Sequence, residues 1–75
     1  MAGRIRVIDG FEVGNRRVKY RLMVVRLGRR VFLVGNPIHF ELRRDKNGNI
    51  VCFMDGEPLG IVTDIPDFVK RLVPK

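Results

Sequence analysis

Serine, glutamine and tryptophan are absent from this 75-residue chain, and it has one cysteine and one histidine. Each absence removes a class of chemistry. Without serine there is no hydroxyl nucleophile of the Ser–His–Asp kind. With Cys52 alone there is no internal disulfide, and no second thiol from which to build a zinc site. Cys52 stands between Val51 and Phe53, the setting of a small buried residue and not of an activated thiolate. His39 falls on the outward face of a strand pattern beside Glu41 and Arg43, with no second histidine to share a metal. No glycine-rich run leads from a strand into a helix, so a phosphate-cradling loop is not indicated. The acids cluster in turns and at a helix start, where local hydrogen bonding accounts for them. The expectation is a non-catalytic protein without metal or cofactor.

Long apolar runs are missing too. None approaches the roughly 20 residues that cross a bilayer, and the first residues lack the basic-then-apolar order of a secretory signal. Residues 1–75 read as a single cytoplasmic domain. A chain of this size buries only about 60% of the surface its unfolded form exposes. Self-association is the support still open to a core that thin.

Positive charge is what the chain has in excess. Fifteen Lys and Arg stand against eight Asp and Glu, for a net charge of +7, and eleven of the fifteen are Arg. Residues 1–44 hold eleven of these cations against only Asp9, Glu12 and Glu41, whereas residues 45–75 are close to neutral. Such polarity raises the potential over one part of a surface and attracts polyanions. The arginine excess and the scarcity of labile polar residues fit a heat-adapted source.

The stretch from Arg16 to Val34 organises the rest. Its first half alternates apolar and basic residues with period two, and successive side chains of a strand point to opposite faces. Val18, Tyr20, Leu22 and Val24 then share one face, and Arg17, Lys19 and Arg21 the other. Alternate residues of a strand rise by roughly 6.6–6.8 Å, close to the spacing of successive phosphates on a nucleic-acid strand. Arg26, Arg29, Arg30 and Arg43 widen the basic footprint. Tyr20, Phe32, Phe40 and Phe53 fall on apolar faces, which leaves the basic face without a ring for stacking, and Phe11, near the first hairpin, is the one ring expected to be exposed. The expected activity is therefore largely sequence-independent binding of duplex DNA or structured RNA through a basic sheet face. The rival expectation is a protein-interaction or assembly module, such as a homodimer, that uses the apolar surface of residues 23–34.

Short alternating segments set the fold class. Arg4 to Ile8 and Phe11 to Val13 flank Asp9-Gly10, a dipeptide that favours a type I′ hairpin turn. Gly14-Asn15 and Gly28-Arg29-Arg30 mark further reversals, and Val31 to Val34, apolar on both faces, reads as a central strand. Ile38 to Arg44 and Ile50 to Met54 form a hairpin about Asp45–Asn49; Asp55-Gly56-Glu57-Pro58 turns the chain into Leu59–Val62. Ile65, Phe68, Val69, Leu72 and Val73 then follow helical spacing over about 64–73, with Asp64 as the expected N-cap and Pro66 in the first turn. These elements predict a mainly β protein: a five- to seven-stranded antiparallel barrel or strongly bent sheet, SH3-like or ββββα-like, with one C-terminal helix.

From Ile38 to Leu72 this order of hairpin, turn, short strand and proline-started helix resembles the small archaeal chromatin proteins, without their sheet-borne tryptophan and with arginine in place of their lysine surface. Strands followed by a helix are also similar to Whirly-like single-strand-binding domains, which act as dimers. Asp55 to Ile65 resembles a turn and strand of the PRC-barrel domains of ribosome-maturation proteins, although Pro66 and the helical period depart from the strand that would follow there.

Overall fold

The computed structural model describes residues 5–75, so Arg4 and the residues before it lie outside the description. The elements, in chain order, are β1 (Arg6–Ile8), β2 (Phe11–Val13), β3 (Arg16–Val18), β4 (Leu22–Leu27), β5 (Arg30–Val34), β6 (His39–Arg44), β7 (Ile50–Met54), β8 (Glu57–Ile61) and α1 (Asp67–Leu72). Six strands form one antiparallel sheet in the order β1-β4-β5-β6-β7-β8, and β2 pairs with β3 in a separate ladder. The protein is thus mainly β with one short C-terminal helix. Among the described residues the strands do not close into a barrel, and they number eight and not five to seven.

The reason lies at Asp9-Gly10. The expected I′ hairpin does not form, because Asp9 is not in the left-handed region and β1 pairs with β4, Ile8 opposite Leu22. Gly10 instead, at φ 125°, makes a corner that carries the chain off the sheet into the β2–β3 ladder. A Cβ there would overlap the carbonyl oxygen of Val18, so only glycine permits this crossing. The ladder rejoins the large sheet at one place, where Val13 bridges Val62 and Gly14 N–H donates to the Ile61 carbonyl at 3.0 Å. The I′ turn appears elsewhere: Asp55 and Gly56, both with positive φ, link β7 to β8.

One face of the sheet is buried. Ile8, Leu22, Val31, Leu33, Phe40, Leu42, Ile50 and Cys52 point to it, and each is at most 5% exposed. The β2–β3 hairpin covers it with Val13 and with Phe11, which is fully buried and not the exposed ring expected, and the C-terminal segment with Ile65, Val69 and Val73. Phe11 meets Phe40 edge to face at 5.4 Å. β5 lies between β4 and β6, the central place that its two apolar faces predicted. The stripe Ile65, Phe68, Val69, Leu72, Val73 docks as its spacing requires, but the helix begins later, with Pro66 at the N-cap position and no side-chain cap. Asp64 does not cap it, because its carboxylate is held by Arg17.

The opposite face of the sheet stays open to solvent. Val7, Met23, Leu27 and Ile61 are exposed on it, and Val25, Phe32, Val34, Val51 and Phe53 are half-buried. Across its middle runs the cross-strand row Phe32, Glu41, Phe53.

Candidate nucleic-acid interface

The continuous basic strand expected from Arg16 onward is interrupted. β3 ends at Val18 because its partner strand runs out at Phe11, and Lys19, Tyr20 and Arg21 lie outside any strand before β4 begins. Arg17 stands opposite Glu12 in the ladder, with 3.8 Å between their charged atoms, and its Nη1 donates to Asp64. Arg21 lies 3.7 Å from Asp9, a loose pair with both side chains far into solvent. Lys19 makes no ion pair among the described residues. The three therefore do not form an evenly spaced, unneutralised ladder, which is a correction to the sequence-based picture.

The four supporting arginines divide. Arg26 donates from Nε to the Gly28 carbonyl at 3.1 Å and braces the β4–β5 turn. Arg29, Arg30 and Arg43 converge with Arg44 and Lys75 around a cleft of about 380 Å³ whose one side-chain carboxylate is Glu41. Glu41 takes bonds from Arg30 Nε and Nη2, each at 3.1 Å, and from Arg43 Nη2 at 3.2 Å. These bonds, from Arg30 above all, hold its carboxyl at about 2, against the opposing effect of its partial burial. Both guanidiniums also lie over rings, Arg30 at 5.2 Å from the Phe32 centroid and Arg43 at 4.5 Å from that of Phe53. Arg44 is committed to the backbone, with Nε on Val73 O at 3.1 Å and Nη1 and Nη2 on Gly48 O and Lys70 O, both at 2.8 Å. Arg29 keeps its charge unpaired among the described residues.

A second basic surface lies at the other end of β7, past Met54. Here Arg16, Lys19 and Tyr20, with the ion-paired Arg17 and beside Val13, Val18, Met54 and Leu59, line an open groove of about 610 Å³. Arg16 and Tyr20 were not among the residues expected at a site. Alternation places Tyr20 inward, yet the residue is 49% exposed. The signal for this is the shortness of β2: its three residues between Gly10 and Gly14 leave no partner beyond Val18, so alternation has nothing to act on at Tyr20.

Cys52 and His39 take the places expected of them. Cys52 is fully buried and its thiol is pushed up to about 12 by that burial; His39 is exposed on β6. Compared with known proteins, the chain matches no family model, no curated protein and no solved structure.

Proposed function

We propose that the protein binds nucleic acid without catalysis and largely without regard to sequence, through phosphate contacts. The observation that carries this reading is the cleft where Arg29, Arg30, Arg43, Arg44 and Lys75 meet a single carboxylate side chain. One Glu offsets part of that charge, and the excess cations are positioned for phosphate oxygens, to which arginine donates in pairs. Arg16 and Lys19 add a second unneutralised patch beyond the far end of β7. The ligand class is duplex DNA or structured RNA.

The test is a gel-shift panel with duplex DNA, single-stranded DNA and structured RNA at several salt concentrations. Retention falls steeply with salt, with a slope of log K against log salt of about −0.9 for each phosphate engaged. Arg29→Glu leaves the melting temperature in place, since its partner-free side chain holds nothing together, and lowers that slope by about one. Absence of retention at low salt with all three probes overturns the reading.

A second reading rests on a different surface. Met23 and Leu27, with Val25, Phe32 and Val34 beside them, form the β4–β5 part of the apolar open sheet face. That face suits a homodimer or another protein partner. Light scattering that returns the monomer mass at all concentrations removes the homodimer.

A further inference from the structure

Among the described residues every phenylalanine ring already has a partner of charge or of aromatic character. Phe11 and Phe40 have each other, and Phe68, Phe32 and Phe53 lie beneath Arg6, Arg30 and Arg43. Tyr20, the only tyrosine, has neither a ring nor a guanidinium over it among the described residues. It stands in the groove with an apolar wall of Met54 and Leu59, 36% and 44% exposed, and with Arg16 and Lys19 alongside. Neither cation makes an ion pair among the described residues; Arg17, which also lines the groove, is the one that pairs with Glu12 and Asp64.

An unpaired ring in one groove with unneutralised cations matches the two parts of a single-stranded nucleotide. The flat base stacks on the aromatic face, and the phosphates on either side of it meet the charges. A duplex keeps its bases stacked on one another, so it uses the cations and leaves the ring idle. The groove volume lies within the range of pockets that take a small flat ligand. We infer that the Tyr20 groove holds an unpaired base of single-stranded nucleic acid, stacked on Tyr20, with Arg16 and Lys19 on its flanking phosphates. This rests on the nucleic-acid reading above and extends it to a strand type that the sequence pattern disfavoured.

The chain carries its own reporter. With one tyrosine and no tryptophan, its emission under excitation that phenylalanine does not absorb comes from Tyr20 alone. Titration with an oligothymidylate of about 12 nucleotides at low salt quenches that emission saturably. Tyr20→Phe keeps the affinity within about twofold, whereas Tyr20→Leu weakens it by about tenfold. Both variants bind duplex DNA as the parent does and melt at the parent temperature, because the side chain is half in solvent. Gel-shift retention of the oligomer without quenching, or equal affinity of Tyr20→Leu and the parent, overturns the groove and leaves the phosphate-binding reading standing. Retention of duplex alone does the same. Retention of no nucleic acid at all overturns both.

Discussion

Arg30 grips Glu41 through both carboxylate oxygens, Nε on Oε2 and Nη2 on Oε1, at 3.1 Å each. Arg43 adds a third bond to Oε1, and the carboxylate, with its side chain 14% exposed, sits between the Phe32 and Phe53 rings that the two guanidiniums cover. A carboxyl held at about 2, against an ordinary value of 4.5, stabilises the folded state. Because the folded value is the lower one, that stability is present in full above about pH 4.5 and is lost as pH falls towards 2. Glu41→Gln costs about 1 kcal/mol at neutral pH. Urea titrations between pH 6 and pH 2 then show a smaller acid loss for the variant than for the parent. Parallel pH profiles contradict this account of Glu41.

The same substitution bears on binding. Arg30 and Arg43 are both tied to Glu41, and Glu41→Gln removes the one side-chain charge that offsets the cleft. Affinity for a polyanion rises and its salt dependence steepens by up to about one phosphate equivalent. A fall in affinity, measured under the same salt conditions, places the phosphate contacts outside this cleft.

Arg44 bridges what the chain would otherwise leave open at the helix C-terminus. Its guanidinium meets the Lys70 and Val73 carbonyls, where the helix dipole is negative, and with Nη1 it also holds Gly48 in the β6–β7 loop. Arg44→Ala removes three charge-assisted bonds and destabilises by about 2 kcal/mol, which lowers the melting temperature by roughly 10 °C. Arg44→Lys restores less than half of this, because an ammonium has no planar fork to span the three carbonyls. Equal melting of Arg44→Lys and the parent assigns the effect to charge alone.

Local order in the chain was legible from residues near one another. Gly14-Asn15, Gly28-Arg29-Arg30 and Asp55-Gly56-Glu57-Pro58 mark the reversals because a turn is decided within four residues, although Arg30, Glu57 and Pro58 belong to the strands that follow. The helical stripe from Ile65 to Val73 and the doubly apolar β5 followed from period alone. Pairing over distance was not legible. Alternation in β1 is satisfied equally by β2 and by β4, and the choice of β4 rests on Leu22 filling the core opposite Ile8. The site suffered likewise, since Glu41 meets Arg30 only through the β5–β6 register, which sets Phe32 opposite Glu41. Asp64, a sensible cap by spacing, was taken by Arg17 from 47 residues away.

Gly10 turns the chain between layers, and its requirement is steric as well as conformational. With φ at 125° and the Val18 carbonyl oxygen where a Cβ would be, Gly10→Ala forces the β1–β2 corner or the Lys19 backbone to move. The loss is at least about 2 kcal/mol, the combined effect of an unfavourable backbone region and a clash. Gly48→Ala is the control, because φ there is 84° but nothing lies within reach of the added methyl. Chemical denaturation separates them: Gly10→Ala loses clearly more than Gly48→Ala, and equal losses attribute the whole effect to backbone conformation.

Arg17 and Lys19 separate structural charge from charge available to a ligand. Arg17 is opposite Glu12 and bonded to Asp64, so it joins the β2–β3 hairpin to the segment that leads into α1. Arg17→Glu puts three carboxylates together and lowers the melting temperature by several degrees, and any loss of nucleic-acid retention is then mixed with loss of structure. Lys19→Glu meets no such neighbours among the described residues, and the fold tolerates it. Its expected effect is on binding: weaker retention of single-stranded DNA and a shallower salt dependence, with thermal melting unchanged. Calorimetry and gel shift on the two variants decide the matter. If Lys19→Glu melts early, residue 19 carries a structural role; if it binds as the parent does, the groove at Tyr20 does not use that charge.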